Sequence, residues 1–193
     1  MHRKYKYFVI AIILMLMHGC GIFDTRSPQQ PTNTRSTYVP PTSPSDVISN
    51  LTFSIEEKNT DNYIRNLSTS VYTYVPDSKS QSQYFQTFQN WNVNSERSYF
   101  NNILAQMDPN ASSNLFLSLL NTTLISSDSA VTTADYIVVF QHNRTNIPKS
   151  AVGNFRLIMK ADQNNLFYIT KWEDFRKNDT DFTWSELKAN FSN

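Results

Sequence analysis

Four runs of alternating side chains in the second half of the chain predict an antiparallel β-sheet. The runs cover residues 115–125, 136–142, 154–161 and 166–176. Alternation with a period of two places the larger side chains of a strand on one face, as it does for Leu115, Leu117 and Leu119. Short connections rich in turn-forming residues separate the runs, and strands joined in this way pair antiparallel. The sheet is therefore the predicted centre of the fold.

The last run and the residues that follow it, 166–191, contain the strongest predicted core anchors. This segment includes two of the three tryptophans, and Phe167, Ile169 and Trp172 lie in the predicted strand. Each buried aromatic side chain removes roughly 150 to 250 Å² from water, which favours collapse around the segment. The pattern predicts a buried final strand, a turn and a short closing helix.

Helix signals precede the sheet. Ser43, Pro44 and Asp46 form a helix start, because serine can cap, proline fits the first helical position and the acid completes a capping box. Apolar residues at helical spacing extend this helix to about Lys58, and a second short helix is predicted from Thr60. The remaining predicted segments are a strand at 71–75, a loop at 78–83 and a helix from Asn94 or Ser95 to Met107.

This order predicts an α+β fold with N-terminal helices packed on one face of a curved antiparallel sheet. From about residue 43 to 191 the chain resembles the nuclear transport factor 2-like superfamily, the cone-shaped fold shared by ketosteroid isomerase and scytalone dehydratase. The resemblance rests on the element order, on an N-terminal helix pair that ends in the tyrosine-containing turn Asp61-Asn62-Tyr63, and on a last strand that ends in WEDF at 172–175. It implies a cone with an interior between helices and sheet, in a fold that carries many functions.

Residues 1–19 have the layout of a signal peptide. Three basic residues precede an apolar run of about eleven residues, short of the roughly twenty that span a bilayer as a helix. The run reaches Gly19 and Cys20, and residues 16–20 resemble the lipobox of bacterial lipoproteins, with His18 at a position that is normally small. The resemblance implies cleavage before Cys20 and lipidation of its sulfur. The alternative is an exported protein with an incidental cysteine.

Residues 20–42 are predicted to be the lipidated Cys20 and a disordered, proline-rich tether to a domain at 43–193. The stretch has four prolines and few apolar side chains, so it cannot bury enough surface to offset its conformational entropy. Two or three acyl chains, such as palmitate, make membrane anchoring stable, since each buried methylene contributes about 0.8 kcal/mol. Gly21 rather than aspartate follows the cysteine, which in enteric bacteria implies sorting to the outer membrane. The predicted location is the cell envelope, on the outer membrane facing the periplasm.

The charge balance argues against a nucleic acid partner. The chain has 17 Lys and Arg against 16 Asp and Glu, and loss of the predicted leader leaves 14 against 16. Nucleic acid binding needs clustered positive charge, which the sequence lacks. Cys20 is the only cysteine, so its lipidation leaves no thiol for a disulfide or a metal site. The sequence has no metal-ligand cluster, glycine-rich phosphate loop or nucleophile motif, and no cofactor is predicted.

Five residues are candidates for a pocket between helices and sheet. They are Tyr63, Tyr136, Tyr168, Trp172 and Asp174. Ligands of cone folds bind in that position, although aromatic residues at these spacings more often form plain core.

Enzymes of the superfamily that the chain resembles use an acid and a base inside the cone. Asp135, Asp174 and His142 are the residues to consider for those roles. His142 is predicted to be a solvated residue of an exposed hairpin, and Asp174 is predicted to hydrogen-bond a turn or a helix start. Glu173 and Asp174 are neighbours in a strand and point to opposite faces, so they do not form a pair. The sequence yields no catalytic pair.

The leading hypothesis is a non-enzymatic, envelope-anchored lipoprotein whose cone binds a small apolar ligand or an envelope protein. The first alternative is a lyase or isomerase, which requires Asp135 or Asp174 to face the interior. The second alternative is a structural component of an envelope complex, which predicts a filled cone and an exposed apolar patch.

Overall fold

A computed structural model describes residues 36–192; the predicted leader, Cys20 and residues 21–35 of the predicted tether lie outside the described residues. The helices are α1 (Pro44–Glu56), α2 (Thr60–Arg65), α3 (Ser78–Gln83), α4 (Phe85–Phe88), α5 (Val93–Ala105) and α6 (Trp184–Asn190). The strands are β1 (Thr73–Val75), β2 (Ser113–Ser126), β3 (Ser129–Phe140), β4 (Ser150–Ala161) and β5 (Phe167–Phe175).

The strands form one sheet in the order β1-β5-β4-β3-β2. The last four strands are the predicted antiparallel meander. Strand β1 pairs with β5 in parallel, with Tyr74 opposite Trp172, so the sheet is mixed rather than fully antiparallel. The connection between β1 and β5 is long enough to permit either direction, and the sequence pattern of β1 carries no information about it.

The start of α1 is as predicted. The Ser43 side chain accepts from the Asp46 backbone N–H while the Asp46 carboxylate accepts from the Ser43 backbone N–H, and Pro44 opens the helix. The helix buries an apolar stripe that includes Leu51 and Ile55. The stripe packs toward the sheet. The helix ends at Glu56, two residues before the predicted end at about Lys58.

The described end of the predicted tether, residues 36–42, runs along the domain without regular secondary structure. The Asn50 amide exchanges hydrogen bonds with the Val39 backbone at 3.0 and 2.8 Å. The Phe167 N–H donates to the Pro41 carbonyl at 2.8 Å, and Pro41 is buried. These contacts join the segment to α1 and to the start of β5, and Ser36 is the first residue of the compact unit.

The predicted loop at 78–83 is helix α3, so that prediction is wrong. Asp77 caps the helix by accepting from the Lys79 and Ser80 backbone N–H groups, and the buried Ser80 hydroxyl donates to the same carboxylate. The segment has no apolar stripe, and its helical conformation depends on this cap rather than on hydrophobic periodicity. Likewise Asn92, not Asn94 or Ser95, caps α5.

Strand β2 contains a bulge. Its register with β3 shifts between Ser118 and Asn121, and Leu119 has a φ of 51°. Leu115 and Leu117 face the core as predicted, but the bulge turns Leu119 out, and its side chain is 80% exposed. The prediction that all three leucines share one face is therefore wrong at Leu119.

The core lies between the inner face of the sheet and the helices. Its largest fully buried side chains come from both layers: Tyr63, Tyr99, Phe100, Tyr136, Phe140, Phe155, Trp172, Trp184 and Phe191. The predicted α+β architecture, with helices on one face of a curved sheet, is confirmed. Within residues 36–192 every helix is too short or too polar to cross a bilayer.

Candidate functional site

The interior between the helices and the sheet holds an ion pair that is sealed from solvent. The Lys188 ammonium lies 2.6 Å from the Glu96 Oε1 atom, and both side chains are 0% exposed. Removing two charges from water costs several kcal/mol per ion, so a buried pair persists only with good geometry and additional hydrogen bonds. The surroundings of both groups supply those conditions.

Helices α5 and α6 deliver the two charges. Glu96 lies in the first turn of α5 on the same side as Tyr99, Phe100 and Ile103, because residues three, four and seven positions apart share one helix face. Lys188 lies on the buried side of α6. Each charged residue therefore occupies a core position of an amphipathic helix.

The Glu96 carboxylate is saturated with donors. The Tyr63 hydroxyl donates to Oε2 at 2.8 Å, and the Tyr72 hydroxyl and Trp91 indole N–H donate to Oε1 at 2.6 and 2.8 Å. Burial and the Glu96 carboxylate raise the pKa of both tyrosines well above its usual value, so each hydroxyl remains a donor. With Lys188, four donors converge on one carboxylate.

Aromatic rings surround the Lys188 ammonium. Its Nζ lies 3.7 Å from the centroid of the Tyr74 ring and 4.2 Å from that of the Trp172 ring. A cation held over desolvated aromatic faces gains about 2 kcal/mol or more. Burial lowers the pKa of Lys188 below its usual value, and the Glu96 carboxylate opposes that shift. The arrangement is an aromatic cage whose cation is part of the chain.

A second buried network centres on Asp174. The Tyr136 hydroxyl donates to Oδ1 at 2.7 Å, while the Ser185 backbone N–H and hydroxyl donate to Oδ2 at 2.8 and 2.5 Å. Burial raises the pKa of Asp174 above its usual value, against the lowering effect of the hydrogen bonds from Ser185 and Tyr136. Gly153 makes room for the Tyr136 hydroxyl, since a Cβ there would lie 2.6 Å from it.

The Asp174 network holds the start of α6. The Trp184 backbone N–H donates to the Tyr136 hydroxyl at 2.8 Å, next to the Ser185 contacts. Asp77 holds the same turn, because the Thr183 hydroxyl donates to it at 2.7 Å. Burial would raise the pKa of Asp77, but hydrogen bonds from Ser80 and Thr183 outweigh this effect and leave it below its usual value. The predicted role of Asp174 as an anchor for a helix start is confirmed.

Four of the five predicted pocket residues meet in the interior, and one does not. Tyr63 contacts Glu96, Tyr136 contacts Asp174, and Trp172 packs edge-on against Trp184 with ring centroids 4.8 Å apart. The four residues are fully or almost fully buried. They belong to the two polar networks and the core around them. Tyr168, in contrast, points away from the interior and lines a surface cleft.

This cleft, of about 500 Å³, lies beside the start of β5. The Arg65 guanidinium stacks over the Tyr38 ring at 3.8 Å from its centroid, and Tyr168 lines the same cleft. The other lining residues are Pro40, Pro41, Leu67, Ser68, Thr69, Ser70, Asp162 and Leu166. The cleft therefore combines aromatic and proline faces with one cation and one carboxylate.

His142 is buried, so the prediction of a solvated hairpin residue is wrong. Its Nε2 lies 3.2 Å from the Pro148 carbonyl, and its ring packs on Phe191 at 4.9 Å between centroids. Burial lowers the pKa of His142 below its usual value; the Pro148 hydrogen bond opposes this shift, and the charges of Lys149 and Arg144 add to it. The closing helix covers this part of the strand end, which the local sequence does not reveal.

Asp135 and Glu173 lie away from the interior. Asp135 is paired with Lys177 and accepts from the Asn154 amide at 3.0 Å. Glu173 bridges Arg156 and Lys171 at 2.9 and 2.7 Å. Of the two acids considered for catalysis, only Asp174 faces the inside.

Sequence reasoning missed Glu96 and Lys188, the central pair. They are far apart in the chain, and a charged residue in a helix is normally assigned to its solvated face. The available signal was the spacing, because Glu96 falls in register with Tyr99 and Ile103, and Lys188 falls in register with Trp184 and Phe191. A charge on each of two apolar stripes indicates a buried pair.

The acidic groups of the interior are engaged within the chain. Among residues 36–192 no group of three or more His, Cys, Asp or Glu side chains is placed to hold a metal ion. The interior acids, Glu96 and Asp174, have their oxygens engaged by donors of the chain itself. The cleft at Tyr38, Arg65 and Tyr168 combines aromatic faces with an arginine at the surface.

Comparisons with known proteins identify the fold. No protein-family model matches the chain, and no curated protein matches it. A protein from Novosphingobium aromaticivorans assigned as a scytalone dehydratase superposes with a TM-score of 0.52 at 6% identity, covering 67% of this chain and 78% of that one. A hexachlorocyclohexane dehydrochlorinase from Novosphingobium barchaimii gives 0.51 at 8% identity, covering 72% and 88%.

A nuclear transport factor 2-like protein from Cytophaga hutchinsonii also superposes, with a TM-score of 0.51 at 8% identity, covering 68% of this chain and 93% of that one. Likeness at such low identity concerns the fold and carries no activity with it. The described part of this chain has the cone-shaped nuclear transport factor 2-like fold.

Proposed function

We propose that this chain is a lipid-anchored binding protein of the bacterial cell envelope, which engages its ligand or partner from outside a filled cone. The observation that carries the proposal is the occupation of the interior by the buried Lys188–Glu96 pair and its aromatic cage. A ligand that entered would have to displace this pair, and breaking a buried ion pair costs about 3–5 kcal/mol. Binding at the outer surface avoids that cost.

The cleft at Tyr38, Arg65 and Tyr168 is the proposed binding site. Its volume of about 500 Å³ falls within the range of small-molecule sites, roughly 300 to 1,000 Å³. Aromatic and proline faces suit an apolar portion of a ligand, and the Arg65 guanidinium suits an anionic group beside it. The ligand class is therefore a small molecule or peptide segment with an apolar face and a negative charge.

Site-specific photocrosslinking tests the cleft. A photoreactive phenylalanine analogue replaces Tyr168 in the full chain, and Tyr84, a half-buried tyrosine beside α4, carries the same probe as a control. We expect an adduct from the first position only, and its loss on Arg65→Glu but not on Arg97→Glu. Equal adducts at both positions, or an adduct indifferent to Arg65, would place binding elsewhere.

The lipid anchor at Cys20 is supported by the leader pattern and by the absence of any other cysteine. Metabolic labelling with an alkynyl fatty acid tests it. We expect label in the parent chain, no label in Cys20→Ser, and release of the variant from the membrane fraction. Label that persists in Cys20→Ser would contradict lipidation at this residue.

A lyase or isomerase is the second candidate, favoured by the buried Asp174 carboxyl at 2.7 Å from the Tyr136 hydroxyl. Such an enzyme must admit substrate to the interior. All three tryptophans, Trp91, Trp172 and Trp184, are buried there. We expect weak quenching of their fluorescence by acrylamide in the native protein. Strong quenching would show an open interior and favour the enzyme.

A further inference from the structure

The free edge of the sheet at β2 is uncharged. Residues 109–127 contain no Asp, Glu, Lys, Arg or His, and this stretch lies between Asp108 and Asp128. Strand β2 ends the sheet, with β3 on one side and no strand of the described residues on the other. Its large side chains that are more than half exposed are Phe116, Leu119, Leu120, Leu124 and Ile125.

An edge of this kind is unusual. Exposed edge strands are normally short, or carry charged residues or proline that prevent pairing with another chain. Strand β2 has 14 residues and none of those charged or proline residues. Its bulge also places a leucine at positive φ and 80% exposure, a conformation that costs about 1–2 kcal/mol for a residue other than glycine. A strained backbone that presents a large apolar side chain to solvent indicates an interaction surface.

We propose that β2 pairs antiparallel with β2 of a second copy of this chain, about a two-fold axis at the bulge. In an interface with two-fold symmetry each residue near the axis meets its own equivalent, so any charge there faces a like charge. The edge formed by residues 109–127 carries no charge, so this repulsion between like charges does not arise. The polar side chains that remain on the edge are serine, threonine and asparagine, which can hydrogen-bond to their own kind.

The bulge supplies a self-complementary register. It divides β2 into regular segments that end at Ser118 and begin again at Asn121. With the axis between Leu119 and Leu120, residues 121–124 of one copy lie along residues 118–115 of the other. The unpaired backbone groups of both edges are then satisfied, and the bulge leucines of the two copies pack against each other at the axis.

A bilayer fits this surface less well. The tip of the β2–β3 hairpin carries Asp128, which is exposed and accepts from the Ser126 hydroxyl at 2.6 Å. Insertion of the tip would bring this carboxylate into lipid. Lipid also offers no partners to the unpaired backbone groups of the edge, whereas a second β-strand does.

Engineered cysteines test the register in the full chain. Leu120→Cys lies beside the axis and is expected to form a disulfide with its own equivalent, which requires Cα atoms about 4.4 to 6.8 Å apart. Thr123 of one copy lies opposite Phe116 of the other, which is seven positions from the Thr123 of that copy, so the two Thr123 positions are about 23 Å apart at roughly 3.3 Å per residue. Thr123→Cys alone is expected to form none, and its mixture with Phe116→Cys is expected to form a mixed dimer. The parent chain, with Cys20 only, is the blank.

A charge at the axis tests the energetics. Leu120→Lys places two ammonium groups against each other, and we expect the dissociation constant of the dimer to rise about tenfold or more in light scattering of the detergent-solubilised chain. Phe85→Lys, which replaces a comparably exposed side chain on α4, is expected to leave the dimer unchanged. Unchanged far-ultraviolet circular dichroism of both variants verifies folding.

Four results would overturn the proposal. They are a monomer for the parent chain at all concentrations, a self-disulfide at Thr123, binding of the monomer to vesicles of neutral lipid through β2, and covering of the β2 amides by residues 21–35 of the same chain. Hydrogen exchange with and without those residues detects the last of these. None of these results depends on the proposed anchor or cleft, so either proposal can fail alone.

Discussion

Glu96 is the residue on which the interior depends most. Its carboxylate accepts from two tyrosines, a tryptophan and a lysine, which belong to four different parts of the chain. The negative charge has no route to water, so it must be balanced within the fold. Lys188 provides this balance, and the aromatic rings over it replace the hydration that an exposed ammonium would have.

Removing one charge of the pair should destabilise the protein far more than removing both. Glu96→Gln leaves a buried ammonium without a counter-charge, and we expect a loss of about 3–5 kcal/mol in the free energy of unfolding by urea. The double variant Glu96→Gln with Lys188→Met should recover most of that loss, because neither charge remains.

Asp61→Asn serves as the control for this pair, since it breaks the exposed Arg97–Asp61 ion pair of 2.7 Å and should have a much smaller effect. A double variant as unstable as Glu96→Gln alone would contradict the role assigned to the charges.

His142 should make stability depend on pH. Its pKa in the folded state lies below the unperturbed value of about 6.5, so the unfolded chain binds the proton first as the pH falls. The stabilisation is therefore present above pH 6.5 and is lost as the pH falls through the folded pKa. We expect unfolding free energies measured between pH 7.5 and 5 to fall less steeply in His142→Gln than in the parent. Parallel curves would assign the dependence to other groups.

At the scale of residues, the sequence indicated which side chains lie in the interior but not which groups they contact. Tyr63, Tyr136, Trp172 and Asp174 carried enough apolar or polar character to be predicted as interior residues. Tyr168 is four residues from Trp172 and would share its face in a regular strand, but the register of β5 against β4 shifts between Ile169 and Lys171 and turns Tyr168 away from the interior. Strand alternation predicts which face a side chain takes only where the strand has no such irregularity.

Among the elements, α6 joins several separate parts of the fold. Its capping box joins Thr183 and Glu186, and the Thr183 hydroxyl also donates to Asp77. Its buried side carries Trp184, Leu187 and Lys188 into the core. This short helix thus closes the interior that the longer elements leave open.

Thr183→Ala tests the closure by α6. Loss of the cap costs about 1–2 kcal/mol, and the Asp77 carboxylate loses a donor as well. We expect a decrease of that size or more in the free energy of thermal or urea unfolding. Thr183→Ser keeps the hydroxyl and should retain most of the stability. Equal losses in both variants would mean that the methyl group, not the hydrogen bonds, holds the helix start.

At the scale of elements, predictions succeeded where a local signal set the structure. The capping box at Ser43 and Asp46 correctly located α1, and period-two alternation located the meander. The prediction for α3 failed because its only strong helix signal is the Asp77 cap, and the polar residues after this cap resemble a loop. The bulge at Leu119 was not predicted, because no glycine marks the position of its positive φ.

For the molecule as a whole, the residues before α1 contribute to the stability of the cone. Residues 36–42 bridge α1 and β5 through Asn50 and Pro41, on one wall of the proposed cleft.

Element order alone predicted the fold class. The parallel pairing of β1 with β5 could not be predicted, because it joins segments almost a hundred residues apart, with Tyr74 opposite Trp172.

Deleting residues 36–42 should weaken the whole domain. A chain that starts at Ser43 loses the paired hydrogen bonds of Asn50 and the cover over the start of β5, and we expect it to be about 1–3 kcal/mol less stable than a chain that starts at Ser36. Differential scanning calorimetry of the two chains measures this difference. Asn50→Ala in the longer chain should reproduce part of it, and identical melting temperatures would show that the segment only rests on the surface.

The position of Lys188 has a consequence for the order in which the protein is made. Synthesis proceeds from the amino end, so Glu96, Tyr63 and Trp91 leave the ribosome long before the lysine that balances them. Until α6 joins the fold, Glu96 lacks its cation and the core lacks Trp184. Folding must therefore finish after translation of α6, and an unfinished chain is exposed to chaperones and proteases until that moment.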